Sequence, residues 1–159
     1  MQRTAGLLLL LPLLLGLPGC LATTPPVVSV ESIELVAVDE EAMSLSLNGT
    51  VTNSHQSETR LLQFEYVLSI DGQAVYRGRH AAEMTLTSGV SRDISLPAAF
   101  PYTKAGWSPG RLPGDSPWAL SGTLVYLGEG VLAETLLDLG YRPSVSYSAS
   151  GELVLTPSN

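Results

Sequence analysis

The fold class of this chain is decided by the stretch Phe64-Glu65-Tyr66-Val67-Leu68-Ser69-Ile70-Asp71-Gly72. Apolar side chains stand at every second position from Phe64 to Ile70, which is the period of a strand with one buried face. Asp71-Gly72 is a strong signal for a tight turn, and residues 74–80 have the composition of a returning strand. The stretch therefore predicts an antiparallel β-hairpin.

The same kind of segment recurs on both sides of the hairpin. Upstream, residues 43–51 alternate apolar and polar side chains around Gly49, which indicates a strand with a bulge, and an apolar segment at 27–38 precedes them. Downstream strands are predicted in the segments 92–98, 119–127, 144–148 and 152–156, the last two of which flank Gly151.

The run 131–139 is apolar and short, so it fits a strand that follows a Gly128-Glu129-Gly130 hairpin turn and also fits a helix. No window of the chain shows a long apolar period of the helical kind. We therefore predict an all-β fold, an antiparallel sandwich of seven or eight strands in a single domain at residues 27–157. At most one short helix fits, near residues 102–107, inside a segment rich in proline and glycine.

The N-terminus has the pattern of a secretory signal. Arg3 is the only charged residue among the first 19, and the apolar run at 5–17 is too short to cross a bilayer, which needs about 20 residues. Leu17-Pro18-Gly19-Cys20 resembles a bacterial lipobox, in which the cysteine receives a diacylglycerol and becomes the mature N-terminus. We predict a lipoprotein signal peptide at 1–19, a lipid on Cys20 and a lipidated tether at 20–26. An ordinary signal peptide or an uncleaved anchor is the alternative.

The residue after the cysteine bears on location. In Gram-negative lipoproteins an aspartate there favours retention in the inner membrane, and this chain has Leu21. The resemblance therefore implies an outer-membrane lipoprotein on the periplasmic face. Two or three acyl chains hold a protein on a membrane stably without a polybasic patch.

Charge and composition exclude several classes of function. Of the 8 basic and 15 acidic residues only Arg3 lies in the leader, so the mature part has 7 basic and 15 acidic residues and a formal charge of −8, which disfavours nucleic-acid binding. One cysteine cannot form an internal disulfide, and two histidines cannot build the common zinc sites alone. We predict no metal, no cofactor and no nucleic-acid partner, and the sequence indicates no particular protein partner.

Two short motifs resemble active sites but lack the context that the chemistry needs. Residues 106–110 match G-x-S-x-G, but Pro109 has no backbone N–H for an oxyanion hole, and both histidines precede Ser108 in the chain. Residues 128–133 fit a relaxed dinucleotide fingerprint without the surrounding βαβ unit, and we interpret them as a hairpin turn. We therefore predict no catalytic residue and no enzyme activity.

Aromatic residues gather in or beside the proline-rich segment, at Phe100, Tyr102, Trp107 and Trp118. Aromatic side chains on a long loop are typical of an interaction surface. The same side chains would also serve to close one end of the sandwich core. The sequence leaves both interpretations open.

The order of these segments resembles the late embryogenesis abundant type 2 family, also called the water stress and hypersensitive response (WHy) domain, which bacteria often carry as lipoproteins. The resemblance covers roughly residues 26–157. It rests on the first strand, on a second strand ending in Asn53 where the family usually has an Asn-Pro-Asn turn, and on the hairpin at Asp71-Gly72 with Gly78. The segments 120–124 and 145–153 are similar to the C-terminal half of that family.

The resemblance implies an immunoglobulin-like or fibronectin III-like sandwich without a catalytic residue, associated with desiccation, cold and other stress. We therefore expect a stress-protective or structural role in the envelope. A carrier of lipid or another apolar ligand is the alternative, and a cavity of roughly 300 Å³ or more that opens near Trp107 and Trp118 would favour it.

Overall fold

The computed structural model describes residues 24–108 and 115–153. These residues form seven strands, one α-helix and one 3₁₀ turn. In chain order they are β1 (Val27–Val38), β2 (Ala42–Thr52), β3 (Thr59–Ile70), β4 (Gln73–Leu86), β5 (Ser91–Pro101), the 3₁₀ turn (Tyr102–Ala105), β6 (Ser116–Gly128), α1 (Val131–Asp138) and β7 (Ser144–Leu153). The predictions for the leader, for Cys20 and for residues 154–157 lie outside the described residues.

Two antiparallel sheets form the molecule. One has three strands in the order β1-β2-β5, and the other has four strands in the order β4-β3-β6-β7. One hydrophobic cluster contains side chains from both sheets, so the core lies between them. The predicted all-β antiparallel sandwich is confirmed, with seven strands in the described residues.

The predicted alternation builds this core. In β3 every second side chain from Phe64 to Ile70 is at most 2% exposed, and in β2 every second side chain from Met43 to Leu47 is at most 1% exposed. Asp71 and Gly72 both have positive φ angles, 51° and 77°, as a two-residue type I′ turn requires. Ile70 pairs with Gln73 across that turn, so the predicted hairpin is confirmed.

The run that fitted both a strand and a helix forms α1. The Gly128-Glu129-Gly130 turn therefore leads into a helix, and the prediction of a hairpin turn there is wrong. β6 pairs instead with β7, which begins after α1. Ala133, Leu136 and Leu137 are half-buried, at the three- and four-residue spacing of a helix face. This pattern spans only eight residues, which is too short to be distinguished from a buried strand by periodicity.

Two expected features lie elsewhere than predicted. The two short pieces around Gly151 are one strand, β7, because Gly151 pairs in register with Trp118. The bulge expected at Gly49 lies on the partner strand, where the pairing of β1 with β2 shifts between Val30 and Ser32. The short helix expected near residues 102–107 is present as the 3₁₀ turn.

Asn53 is a fully buried polar residue that ends β2 and uses the whole hydrogen-bonding capacity of its side chain. Its Nδ2 donates to the backbone oxygens of Ser57, at 2.8 Å, and Leu86, at 2.9 Å. Its Oδ1 accepts from the backbone N–H of His55, at 3.0 Å, and from Thr59 Oγ1, at 3.1 Å. One amide thus joins the β2–β3 connection, the start of β3 and the end of β4.

The backbone of Asn53 extends the same network to β5. Its N–H donates to the oxygen of Val90 at 3.0 Å, and its oxygen accepts from the N–H of Gly89 at 2.8 Å. Gly89 and Val90 belong to the connection between β4 and β5, which lie in different sheets. We call this part of the molecule the Asn53 end. The hydrogen bonds of Asn53 thus connect the two sheets at this end.

We predict that Asn53→Ala lowers the free energy of unfolding by about 3 kcal/mol, because one buried and one part-buried carbonyl group and two donors lose their partner at once. Asn53→Asp should destabilise at least as strongly at neutral pH, since a carboxylate cannot donate to Ser57 and Leu86. Chemical denaturation followed by circular dichroism measures both effects. Asn48→Ala is the control, because Asn48 is only half-buried and accepts one local bond from Ser46. Equal losses of stability in Asn48→Ala and Asn53→Ala would contradict the structural role that we give to the buried Asn53 amide.

Candidate functional site

The four aromatic residues of the proline-rich region lie at the end of the sandwich opposite Asn53. Phe100, Tyr102 and Trp118 are between 1% and 4% exposed, and only Trp107 is partly exposed. The rings of Phe100 and Trp107 have centroids 6.5 Å apart. Three of the four side chains therefore belong to the core and do not form an exposed surface, because they close this end of the sandwich.

Tyr102 fixes that closure to the turn between β1 and β2, and we call this region the Tyr102 end. Its hydroxyl donates to the backbone oxygen of Asp39 at 2.9 Å, and its N–H donates to the oxygen of Glu41 at 3.1 Å. Within the turn, Asp39 Oδ1 accepts from the N–H groups of Glu41 and Ala42, at 2.8 and 2.6 Å. These two bonds hold the pKa of the exposed Asp39 carboxyl below its usual value. The acidic run is thus an ordered surface turn.

Ser108 is exposed next to the Tyr102 end, whereas His55 lies at the Asn53 end. His80 is half-buried on β4, paired with Phe64. In the described residues no hydrogen bond joins the Ser108 hydroxyl to either imidazole, and Pro109 lies outside them. The structure does not bring a base to the serine of the G-x-S-x-G string.

The second motif, at residues 128–133, does run from a strand into a helix, as a dinucleotide site requires. The helix, however, connects β6 to β7, and these two strands are antiparallel neighbours. A βαβ unit needs parallel strands, so the motif lacks the geometry that places a pyrophosphate at a helix N-terminus.

Two buried tyrosines, Tyr66 and Tyr147, lie on the core side of the four-stranded sheet. The Tyr66 hydroxyl donates to the backbone oxygen of Pro97 in the opposite sheet at 2.5 Å, whereas the buried Tyr147 hydroxyl has no hydrogen-bond partner in the described chain. Burial raises the pKa of both phenols, and the neighbouring Tyr76 adds to the effect on Tyr66. Both stay neutral at physiological pH, so they support the core and supply no base.

A polar concavity of about 770 Å³ lies on the outer face of the four-stranded sheet. Its hydroxyl groups come from β6 and β7 and its charges from β3 and β4, in rows set by the strand register. Arg79 Nε lies 3.3 Å from Glu65 Oε1, so these two opposite charges neutralise each other. Its remaining polar side chains are Arg77, Ser121, Thr123, Ser146 and Ser148. This face is therefore hydrophilic.

An apolar groove of about 290 Å³ lies at the Asn53 end, between α1 and the ends of β3 and β6. Its volume is near the lower limit of ligand pockets. The apolar part of its lining comes from Tyr126, Leu127, Ala133, Leu136, Tyr141 and Pro143, and Thr24 lies at its rim. Neither Trp107 nor Trp118 lines it, so the apolar depression is at the opposite end from the one that the carrier hypothesis expected.

The groove was not predicted because it depends on α1. A signal was present: Gly140 directly follows the apolar run 131–139, which is typical of the residue after the C-terminus of a helix. Given a helix that ends before Gly140, Ala133, Leu136 and Leu137 would have been candidates for its apolar face. In residues 24–108 and 115–153 no group of three or more histidine, cysteine or acidic side chains could hold a metal ion, and no helix is long and apolar enough to cross a membrane.

No family model matches the sequence, and no curated protein matches it. Solved structures do share the fold. AT1g01470 from Arabidopsis thaliana superposes with a TM-score of 0.62 at 17% identity, over 84% of each chain. A protein from Archaeoglobus fulgidus has a TM-score of 0.51 at 10% identity, over 80% of this chain and 98% of that one. An ApaA-like protein from Bordetella pertussis has a TM-score of 0.50 at 17% identity, over 84% of this chain and 96% of that one.

These comparisons agree with the resemblance at the level of the fold. The Arabidopsis protein is of the late embryogenesis abundant type. At 17% identity the likeness shows a shared small all-β fold and nothing finer. Membership of the late embryogenesis abundant type 2 family is therefore a proposal.

We predict opposite effects of removing the two buried phenol hydroxyls. Tyr66→Phe should lower the free energy of unfolding by about 1–2 kcal/mol because the Pro97 carbonyl loses its donor, whereas Tyr147→Phe should be neutral or stabilising by up to about 1 kcal/mol. The two substitutions remove the same atom from the same residue type, so each is the control for the other. An equal loss of stability in both variants would contradict the finding that the Tyr66 hydroxyl has a hydrogen-bond partner and the Tyr147 hydroxyl has none in the described chain.

The raised pKa values also set an alkaline limit on stability. Folded tyrosines that stay protonated contribute stability that is fully present below about pH 10, where unfolded tyrosine begins to ionise. That contribution is lost as the pH rises toward the folded pKa, so unfolding free energy should fall above pH 10 and fall less steeply in either Phe variant. Denaturation curves at several alkaline pH values measure the slope.

Proposed function

We propose that this protein is an outer-membrane lipoprotein, anchored on the periplasmic face through a lipid on Cys20. In this proposal its domain is of late embryogenesis abundant type 2, is not catalytic, and protects or supports the envelope under stress. The observation that carries the proposal is the fold, which is similar to that of a protein of the late embryogenesis abundant type over 84% of both chains. The order of sequence segments from Val28 to Leu153 and the lipobox-like residues 17–20 support it.

The surfaces of the sandwich suit a protective module that works without chemistry. On the three-stranded sheet, the hydroxyls of Ser46 and Ser95 lie 2.6 Å apart and those of Thr52 and Ser91 lie 2.7 Å apart. These cross-strand pairs keep surface hydroxyls bonded even when water is scarce. The formal charge of −8 in the mature part opposes self-association. A filled core and hydrated faces keep the domain folded and dispersed.

A carrier of apolar ligands is the second candidate, and the groove beside α1 is the observation that favours it. Its volume of about 290 Å³ accommodates part of an acyl chain but is small for a whole lipid. Lipid that copurifies with the detergent-free domain and is detected by native mass spectrometry would favour this function. A domain that carries no ligand under those conditions would favour protection.

We predict that Cys20→Ala abolishes metabolic palmitate labelling and moves the protein out of the membrane fraction, because Cys20 is the only cysteine of the chain. Leu21→Asp is the matched control: it should keep the label while shifting the protein toward the inner membrane. Fractionation on a sucrose gradient and palmitate autoradiography measure both effects. Unchanged labelling of the Cys20→Ala protein would contradict lipidation at this residue.

We predict that a strain lacking the gene survives drying, freezing and osmotic shock less well than its parent. The wild-type gene and a Ser108→Ala gene should restore survival equally, because the role that we propose requires no catalysis. A gene carrying Asn53→Ala should restore it poorly, since that variant is destabilised. Viable counts after each stress provide the measurement. Equal survival of the deletion strain and its parent would exclude the protective role.

A further inference from the structure

We propose that the Asn53 end of the sandwich lies against the lipid bilayer and inserts Leu139 and Tyr141 into its interfacial layer. The occupant of this surface is a bilayer whose headgroups are mainly zwitterionic. The inference rests on the proposed lipid at Cys20 and adds to it an orientation and a second, non-covalent membrane contact. It follows from the point where the chain enters the fold, from the exposure of two side chains, and from how their backbone is held.

The described chain begins beside the groove of the Asn53 end. Thr24 lies at the groove rim, Pro26 is buried, and Val27 pairs with Thr52 next to Asn53. Three residues lie between Cys20 and Thr24, and the four Cα–Cα steps of this stretch span at most about 14 Å when fully extended. A lipid on Cys20 therefore keeps this end close to the membrane, while the Tyr102 end points away from it.

Three large apolar side chains are exposed at this same end: that of Val27, which is 56% exposed where the chain enters the fold, and two on the loop after α1. Leu139 is 79% exposed and Tyr141 is 59% exposed, whereas most side chains of this size in the described chain are buried. Both follow α1 directly, beside the groove that Leu136 and Tyr141 line. In water such exposure is unfavourable, but in an interfacial layer leucine buries its apolar surface, and tyrosine keeps its hydroxyl near the headgroups.

The backbone holds these side chains outward in a fixed geometry. The Tyr141 N–H donates to the oxygen of Leu136 at 2.8 Å, and the Gly140 N–H donates to that of Leu137 at 2.9 Å, with a φ of 86° at Gly140. This is the Schellman arrangement that closes a helix C-terminus. On the other side of the loop, Tyr126 N–H donates to the oxygen of Pro143 at 3.1 Å. Two exposed apolar residues on an ordered loop are already arranged for insertion.

The charges around the loop favour a zwitterionic surface. The acidic residues near the loop are Glu129, Glu134 and Asp138, and the basic residues are Arg60 and Arg142. Glu134 lies 3.7 Å from Arg60, so these two charges are paired. With this acidic excess, anionic headgroups repel the Asn53 end. The attraction is therefore apolar, and raising the fraction of anionic lipid should weaken it.

A second exposed apolar group, at Leu35, Val36 and Val38, provides a matched comparison. Val36 is 65% exposed, similar to Tyr141, but it lies near the Tyr102 end of β1, nine residues or roughly 30 Å along the strand from Val27. If exposure alone determined membrane contact, both groups would insert. The tether geometry allows only the group at the Asn53 end to do so.

The test uses full-length lipidated protein reconstituted into phosphatidylcholine and phosphatidylethanolamine vesicles. Because the thiol of Cys20 is consumed by the lipid, a cysteine introduced by Tyr141→Cys or by Val36→Cys is the only free thiol and can carry an environment-sensitive fluorophore. We expect blue-shifted emission and several-fold stronger quenching by brominated lipids for the probe at 141, and neither effect at 36. Equal quenching at both positions, or none at 141, would overturn the proposal.

A lengthened tether separates insertion from mere proximity. A linker of about 20 Gly and Ser residues inserted after Ala22, whose ends lie about 25 Å apart on average, frees the domain from the membrane surface. Quenching at 141 should persist with the linker and be lost when Leu139→Ser is added. Loss of quenching with the linker alone would show that the loop is held near the bilayer and does not insert.

The intact mass of the same purified protein reports the lipid on Cys20 independently. A lipidated protein without quenching at 141 would overturn the orientation and leave the proposed anchor in place. A protein without the lipid mass would overturn the anchor, and the argument from tether length with it. Circular dichroism verifies that each variant is folded. We expect all of them to fold, because the side chains at positions 36, 139 and 141 are exposed.

Discussion

The buried amide of Asn53 is the interaction on which the rest of the sandwich depends. A residue without exposed surface must satisfy every polar atom internally, and this side chain does so with two donated and two accepted bonds. The partners belong to the β2–β3 connection, to β3 and to β4, while the backbone of Asn53 bonds the β4–β5 connection. Because all of these groups converge on one residue, an apolar or a charged replacement would leave several buried groups unpaired. A single amide thus fixes where both sheets end.

The interior between the sheets is filled by pairing large rings with glycine. Tyr147 lies over Gly122, its in-register partner on β6, where a Cβ would meet both that ring and the backbone oxygen of Glu65. Tyr66 is paired with Gly122 from the other side and reaches the opposite sheet through Pro97. Large and small residues alternate across the sheet, so the core packs without needing a ligand. Binding therefore belongs to the surfaces and ends of this molecule.

Features that depend on local sequence patterns were predicted correctly, whereas features that depend on contacts between distant segments were not. The alternation from Phe64 to Ile70 and the Asp71-Gly72 turn are local, and both correctly predicted the hairpin. The run at 131–139 has too few residues for its period to decide between a strand and a helix. Sequence proximity grouped the aromatic residues near Trp107, but burial is a long-range property, and three of them lie in the core. The groove is lined by residues of α1 together with Tyr126 and Tyr141. No local sequence pattern predicts that these segments lie side by side.

The two ends of the sandwich differ in a way that suits an anchored domain. Any pull exerted through a lipid on Cys20 enters at Pro26 and Val27, and Val27 pairs with Thr52, the residue before Asn53. The force would therefore act next to the network that joins the two sheets, in which the side chain of Asn53 is fully buried. With the proposed lipid anchor, the Asn53 network would therefore lie next to the residues through which the chain is held.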